Sequence, residues 1–302
     1  MLSPLHDRAH GTLLGLAIGD ALGATLEFEE RDELPHHSEM LGGGPFDLKP
    51  GQWTDDTSMA LALAESLIAH PELDAADLMR RFVAWAEDGA YSCTGTCFDI
   101  GITTRMALRH FERTGDPFAG SEDKDSAGNG SLMRIAPVAL WALDDAALAA
   151  HIAREQSRTT HGAAEAIESC ELFVQILREA IQGAGKEALR PRAWAGTPKV
   201  QAIAAGAWRG KPRSKIRSTG YVIDTLEAAL WCTEQAGNFE DALVLAVNLA
   251  GDADTVGAVT GQIAGAVFGA SEIPERWLAP LAWRDKLVAL AAQLTHRPTF
   301  SA

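Results

Sequence analysis

Gly251-Asp252-Ala253-Asp254-Thr255-Val256-Gly257-Ala258-Val259-Thr260-Gly261-Gln262-Ile263-Ala264-Gly265-Ala266-Val267-Phe268-Gly269 sets the architecture expected of this chain. Glycines recur at 257, 261, 265 and 269, an interval that lines them up along one face of a helix. An interior glycine costs roughly 1 kcal/mol relative to alanine, so such a stripe needs a compensating reason. A central helix crossed closely by its neighbours supplies one, by the close approach best known between membrane helices. The stretch also invites an EF-hand reading, because Asp252, Asp254 and Gly257 fall at loop positions 1, 3 and 6. That reading fails further on, where Val256, Thr260 and Ile263 stand in place of the remaining oxygen ligands and the bidentate Glu. What remains is a first turn bearing two carboxylates and a hydroxyl, a ligand platform that needs partners from elsewhere.

The same chemistry stands near the front of the chain. Gln52-Trp53-Thr54-Asp55-Asp56-Thr57 again precedes an apolar helical run. Two readings are open. In one, each cluster caps its own helix, because Thr and Asp side chains accept from orphan N–H groups and carboxylates favour the positive dipole end. In the other, the clusters are halves of one site, since hard divalent cations take carboxylate, hydroxyl and water oxygens and one cluster alone has too few. A third acid, Glu27, stands alone among apolar residues at the end of the Gly/Ala-rich segment Gly23-Ala24-Thr25-Leu26-Glu27-Phe28. A solvent-facing helix end competes there with a site role.

Composition narrows the function. The 302 residues are 47% apolar, ample for a core, and 26 basic against 41 acidic residues give a net charge of -15. That charge repels polyanions and argues against general nucleic-acid binding. Basic residues cluster only in Lys211-Pro212-Arg213-Ser214-Lys215-Ile216-Arg217, which reads as a solvated loop, with a phosphate or acidic partner as the alternative. Four cysteines are too few for a disulfide scaffold; Cys93 and Cys97 lack a second pair at zinc-finger spacing, and the first residues have no signal-peptide layout. A cytoplasmic location is expected. The most apolar stretch, Val256 to Ala270, is shorter than the roughly 20 residues needed to span a bilayer, so no membrane segment is expected.

Helix formers with apolar residues at three-to-four spacing run through Leu61–Leu67, Asp77–Glu87, Thr103–Glu112, Ala146–Glu155, Ala163–Ile181, Ile223–Gln235 and Asp285–Leu294. Alternating strand patterns are scarce. Breaks at Leu41–Pro45, Arg113–Pro117, Gln182–Gly185 and Arg209–Pro212 are short enough to be turns between packed helices. With no long linker and no repeat, one all-α domain over residues 1–302 is expected.

Three further features carry possible chemistry. Ala127-Gly128-Asn129-Gly130-Ser131-Leu132-Met133-Arg134 is a small-residue turn leading into a helix, suited to offering N–H groups to phosphate or ribose oxygens, although Asn-Gly turns are common. His161, after Thr160, precedes a helix as a ligand donor or as a capping or core residue. Asp99 in Cys97-Phe98-Asp99-Ile100-Gly101 suits either a guanidinium at a pocket rim or an N-cap.

Taken in order, these segments resemble the ADP-ribosylglycohydrolase family, in particular its bacterial dinitrogenase reductase-activating branch. The residues are Gly11-Thr12-Leu13-Leu14-Gly15-Leu16-Ala17-Ile18-Gly19-Asp20-Ala21-Leu22-Gly23, Glu27, Trp53 to Thr57, Gly128 to Arg134, Thr160-His161 and Gly251 to Thr255. The resemblance implies a compact orthogonal all-α bundle with two Mg2+ or Mn2+ ions at the bottom of a cleft. It implies Glu27, Thr54, Asp55, Asp56, Asp252, Asp254 and Thr255 as ligands. Ser126, Gly128, Asn129, Gly130, Ser131 and His161 are implied as ADP-ribose contacts. Some relatives place an acid or aromatic where this chain has Ser126-Ala127, which leaves the leaving group open.

The implied chemistry is hydrolysis at the anomeric carbon of the distal ribose, releasing a protein side chain, most plausibly an arginine guanidinium, and leaving ADP-ribose. Asp55 or Glu27 is the expected base, and Asp99 matches a position near the leaving group. The expected partner is an ADP-ribosylated protein, and a monomer is expected. A non-catalytic ADP-ribose reader and a hydrolase of serine, nucleic-acid or O-acetyl linkages are the alternatives. A diphosphate synthase is not, because Asp55-Asp56 is followed by Thr57, Ser58 and Met59 rather than by its third Asp.

Overall fold

The Gly257 stripe meets one partner, and it lies in a segment without the amphipathic period of a surface helix. The computed structural model describes residues 2–296. Its α-helices are α1 (Pro4–Gly23), α2 (Asp55–Ala69), α3 (Ala75–Asp88), α4 (Ile102–Thr114), α5 (Ala136–Trp141), α6 (Ala146–Thr160) and α7 (Ala164–Glu179). There follow α8 (Pro198–Ala204), α9 (Val222–Gln235), α10 (Phe239–Val247), α11 (Ala253–Phe268), α12 (Glu275–Leu278) and α13 (Arg284–Thr295). Only isolated bridges, such as Gly128 with Tyr221, interrupt the helical pattern among the described residues. The all-α expectation holds.

α1 is started by Ser3, whose hydroxyl accepts from the His6 N–H, and by Pro4 in the first turn, where a missing N–H costs nothing. From Ala9 to Gly23 every residue is buried. It lies antiparallel along α11, with Gly11 opposite Gly265, Gly15 opposite Gly261, Gly19 opposite Gly257 and Gly23 opposite Ala253. A β-carbon on any of these glycines would collide with the carbonyl across from it. The helices touch backbone to backbone, and the dispersion gained along that seam offsets the entropy each glycine costs. Gly269 does not belong to the stripe: it lies just beyond α11 at φ 93°, donating its N–H to the Gly265 carbonyl.

Around the seam, α9 and α10 pack on α11, α13 packs on α1, and α6 pairs with α7. One apolar cluster runs from Ala9 to Leu294. The helices expected from periodicity are present, bounded by ordinary signals: Asp74 caps α3 through the Ala76 and Asp77 N–H groups, and Gly89 closes it in the left-handed region. The Ala163–Ile181 run ends in one wide turn over Ala180–Ala184, where Gly183 takes φ 109°. No helix of the described residues is long and apolar enough to cross a membrane. The antiparallel seam brings the C-terminal end of α1 and the N-terminal end of α11 together, and the acidic residues collect there.

Candidate functional site

Neither acidic cluster caps its own helix from the N-cap position, although within the first turn of α11 Asp254 takes the Thr255 N–H. Thr54 and Asp252 occupy the N-cap positions of α2 and α11, and neither side chain makes a capping hydrogen bond. The orphan donors are satisfied by carboxylates from α1 and the segment after it. Asp20 Oδ1 accepts from the Thr54 N–H (2.8 Å) and hydroxyl (2.9 Å), and its Oδ2 from the Thr57 N–H (3.0 Å) and hydroxyl (2.6 Å). Glu27 Oε2 accepts from the Ala253 N–H at 2.7 Å and lies 3.4 Å from the Asp254 N–H. Asp20 and Glu27 hold the two helix starts together, which frees Asp55, Asp56 and Asp252 from capping. Asp254 Oδ1 accepts from the Thr255 N–H at 2.7 Å.

The result is a crowd of buried acids. Carboxylate oxygens of Glu27, Asp252 and Asp254 lie within 4.8 Å of one another, as do those of Asp20, Asp56 and Asp254. Asp55 belongs to neither group, although it lines the same cleft of 230 Å3. No Lys or Arg lines that cleft among the described residues. Burial, reinforced by Asp254, pushes the Glu27 carboxyl up to about 12. The same causes push Asp20 and Asp252 to about 7, even against the four donors on Asp20 and the Asn129 amide on Asp252. Asp55 and Asp56 are also raised by burial, then by Asp254 and Asp20 respectively.

Two details suit a cation here. Thr54 Oγ1 lies 2.9 Å from Asp20, 3.1 Å from Asp56 and 3.4 Å from Asp254, yet its one proton satisfies one of these oxygens. Asp56 Oδ1 is buried with no hydrogen-bond partner among the described residues. An acid cluster that leaves an oxygen orphaned and lacks a basic neighbour can hold a metal ion through hard oxygen donors. Asp20 falls within one of the acidic groups, but both its oxygens are already engaged by two donors each; it serves as the brace of α2.

The cleft wall is the turn before α5. The Asn129 amide bridges Asp252 Oδ2 at 2.6 Å and Thr225 Oγ1 at 2.9 Å. Gly128, Asn129, Gly130, His161, Asp99 and Thr255 all line the cleft. The His161 ring fits beneath the turn only because Gly130 lacks a side chain: a β-carbon there would sit 2.7 Å from His161 Cε1. Ser126 lies at the rim of an adjoining 640 Å3 hollow shared with Gly128, its hydroxyl 2.6 Å from the Asp123 carbonyl. Ser131 departs from expectation. It is wholly buried, with its hydroxyl meeting Ser157 and Cys170 rather than the cleft, because the chain turns inward into α5 there.

Asp99 sits in the left-handed region at φ 59°, as do Phe28 at 65° and Ala250 at 55°, so strain of order 1–3 kcal/mol per residue flanks the acids. Burial, then Asp55 and Asp254, push the Asp99 carboxyl up to about 11. The Glu27 loop is pinned from both sides. Phe28 N–H donates to the Gly251 carbonyl at 2.7 Å and Gly251 N–H to Glu29 at 2.9 Å. Arg31 adds bonds to the carbonyls of Leu249 (3.0 Å), Arg213 (2.9 Å) and Ile216 (2.7 Å). Three of the four charges of the basic run are paired within the molecule, Lys211 on Glu227, Arg213 on Asp32 and Arg217 on Asp224, while Lys215 is exposed. The run forms a connecting segment with one short turn at Arg213–Lys215. Cys93 and Cys97 are free, partly buried thiols.

The residues missed in sequence are Asp20 and Arg134. Both stand inside segments quoted above for other reasons, and each is a charge among apolar neighbours that burial obliges to find partners.

The family profile described as ADP-ribosylglycohydrolase matches residues 1–300. The chain is 46% identical over 292 residues to the ADP-ribosylarginine hydrolase Tri1 of Pseudomonas putida, spanning 96% of this chain and 78% of that one. It is 36% identical over 300 residues to the ADP-ribosyl-(dinitrogen reductase) glycohydrolase of Rhodospirillum rubrum, spanning 95% and 97%. A solved structure described as an ADP-ribosylglycohydrolase-related protein complex superposes with TM-score 0.85 at 44% identity, covering 97% of this chain and 99% of that one.

Proposed function

This chain belongs to the ADP-ribosylglycohydrolase family, and from that premise we propose that it hydrolyses the bond between the distal ribose of ADP-ribose and an arginine side chain of a modified protein. The observation that carries this reading is that Asp55 lines one cleft with Asp252, Asp254, Thr255 and the Gly128–Gly130 turn, while Thr54 and Asp56 meet Asp254. The arginine linkage rests on the names of the similar Pseudomonas and Rhodospirillum proteins.

Glu27, Thr54, Asp56, Asp252, Asp254 and Thr255 are the residues that would hold two Mg2+ or Mn2+ ions, with Asp55 beside them. When bound, such ions supply the positive charge that acidifies a water and offsets the clustered carboxylates. The chain itself orients the sugar: the Gly128–Gly130 turn and His161 face the diphosphate and ribose oxygens. Asp55 is the proposed proton acceptor, because Glu27 is committed to the N–H groups of α11 while Asp55 stands outside both close carboxylate groups. Asp99, which lines the same cleft, is the proposed partner of the departing guanidinium, a role its charge can fill once bound cations relieve the crowding of Asp55 and Asp254 that holds its proton.

The test is release of free ADP-ribose from an ADP-ribosyl-arginine protein by the purified chain with Mn2+ or Mg2+. Asp254→Ala is expected to abolish it. Tight ADP-ribose binding without turnover on any ADP-ribosyl linkage would replace this reading with that of a binding protein.

A further inference from the structure

Arg134 closes the Gly128–Arg134 segment but turns away from the cleft. It is wholly buried, and no carboxylate pairs with it among the described residues. Its guanidinium stacks over Phe82 at 4.6 Å and donates to the Gln156 side chain (2.8 Å), the Gln156 carbonyl (2.8 Å) and Thr160 Oγ1 (2.9 Å). Thr160 Oγ1 in turn lies 2.9 Å from His161 Nδ1. An arginine only donates, so one lone pair of the Thr160 oxygen is taken. The Thr160 proton then has one acceptor within reach, His161 Nδ1. Were Nδ1 to carry the hydrogen instead, the hydroxyl proton of Thr160, itself wholly buried, would have no partner among the described residues, which is unfavourable.

We propose that Arg134 and Thr160 are positioning residues that fix His161 in the Nε2–H tautomer, so that the cleft wall presents a hydrogen-bond donor to an acceptor oxygen of ADP-ribose. The Nε2 edge lies against Gly128 and Gly130 at the cleft, where no protein acceptor meets it among the described residues. Burial and the Arg134 charge hold the ring neutral, with its pKa lowered to about 3, so His161 does not act as a cation at neutral pH. The guanidinium, paired with no carboxylate among the described residues, sits one hydroxyl behind the ring and further polarises Nε2–H. A ligand atom facing His161 is therefore an acceptor, a phosphate or ribose oxygen.

The ligand in this inference rests on the proposed function; the tautomer does not. It is read in the ligand-free full chain labelled with 15N-histidine, His161 being assigned by difference with His161→Gln. Nε2–H is the expected form. Thr160→Val is expected to give Nδ1–H or an exchanging mixture and to weaken ADP-ribose binding about tenfold, with kcat changing less than about twofold, and Thr160→Ser to restore both. A wild-type ring protonated at Nδ1 would overturn the proposal, as would a Thr160→Val protein with unchanged tautomer and affinity. An Nε2–H ring that responds to Thr160→Val in a protein with no affinity for ADP-ribose would overturn the ligand and leave the tautomer standing.

Discussion

The seam between α1 and α11 and the acidic floor at its end are built by the same two helices on opposite terms. Along the seam there are no side chains to speak of, and close backbone contact does the holding. At the floor, buried like charges repel one another and oxygens stand unpaired. The contrast teaches that the seam can carry the floor: a stiff, glycine-paired pair of helices keeps repelling carboxylates at fixed separation until a counter-charge arrives. Cost and stabilisation lie a few residues apart on the same helices.

The hardest way to break this pairing is to fill the seam. Gly261→Leu is expected to leave no soluble folded protein, and Gly261→Ala to cost about 3 kcal/mol or more in chemical denaturation, since backbone rather than a yielding side chain faces it. Changing the floor should do the reverse. Asp254→Asn is expected to lower kcat/KM about 10³-fold while the metal-free protein keeps or gains thermal stability.

The floor also gives the contrast a pH dependence. Asp20 and Asp252 hold their protons to about 7 in the fold, whereas unfolded carboxyls release theirs near 4. Between those values the folded state binds more protons than the unfolded one, so these groups make chelator-treated protein less stable as pH rises from about 4 to about 7. Calorimetry should accordingly find that Mn2+ raises Tm more at about pH 8 than at about pH 5.5. An equal rise at both would separate metal binding from the charge crowding described here.

Smaller effects sharpen the boundary. Asp20→Asn leaves the shape but weakens the brace of α2, and a loss of about 10- to 100-fold in metal affinity by calorimetry is expected. Glu275→Gln, in the exposed ion pair with Arg284, should shift stability by less than about 1 kcal/mol and leave turnover unchanged.

Much of the floor was legible because chemistry betrays itself in composition: two runs of Asp and Thr ahead of apolar helices are costly unless used. The glycine stripe of α11 was legible for the same reason. Its partner was not. α1 is buried on all sides, so it has no amphipathic period to find, and Gly11, Gly15, Gly19 and Gly23 make sense only beside α11. α5, six residues long and entirely buried, was legible only at its start, from the turn that leads into it. The capping reading of the clusters failed for a non-local reason, since Asp20 and Glu27 arrive from another segment to take the N–H groups. Ser131 shared the motif of the cleft wall but lies on the side of the turn that faces the core.

The equal spacing of the two glycine rows makes the seam a ruler without numerals. Sliding α1 by four residues along α11, about 6 Å, would set glycine against glycine again over most of the contact. Close packing alone does not tell the two alignments apart. What tells them apart is the polar contacts that a slipped helix could not reach: Glu27 on the Ala253 N–H and Phe28 paired with Gly251, together with Asp20 on Thr54 and Asp7 on Ser271. In this protein a residue of the reactive cleft is also part of the key by which the folding chain recognises its correct alignment.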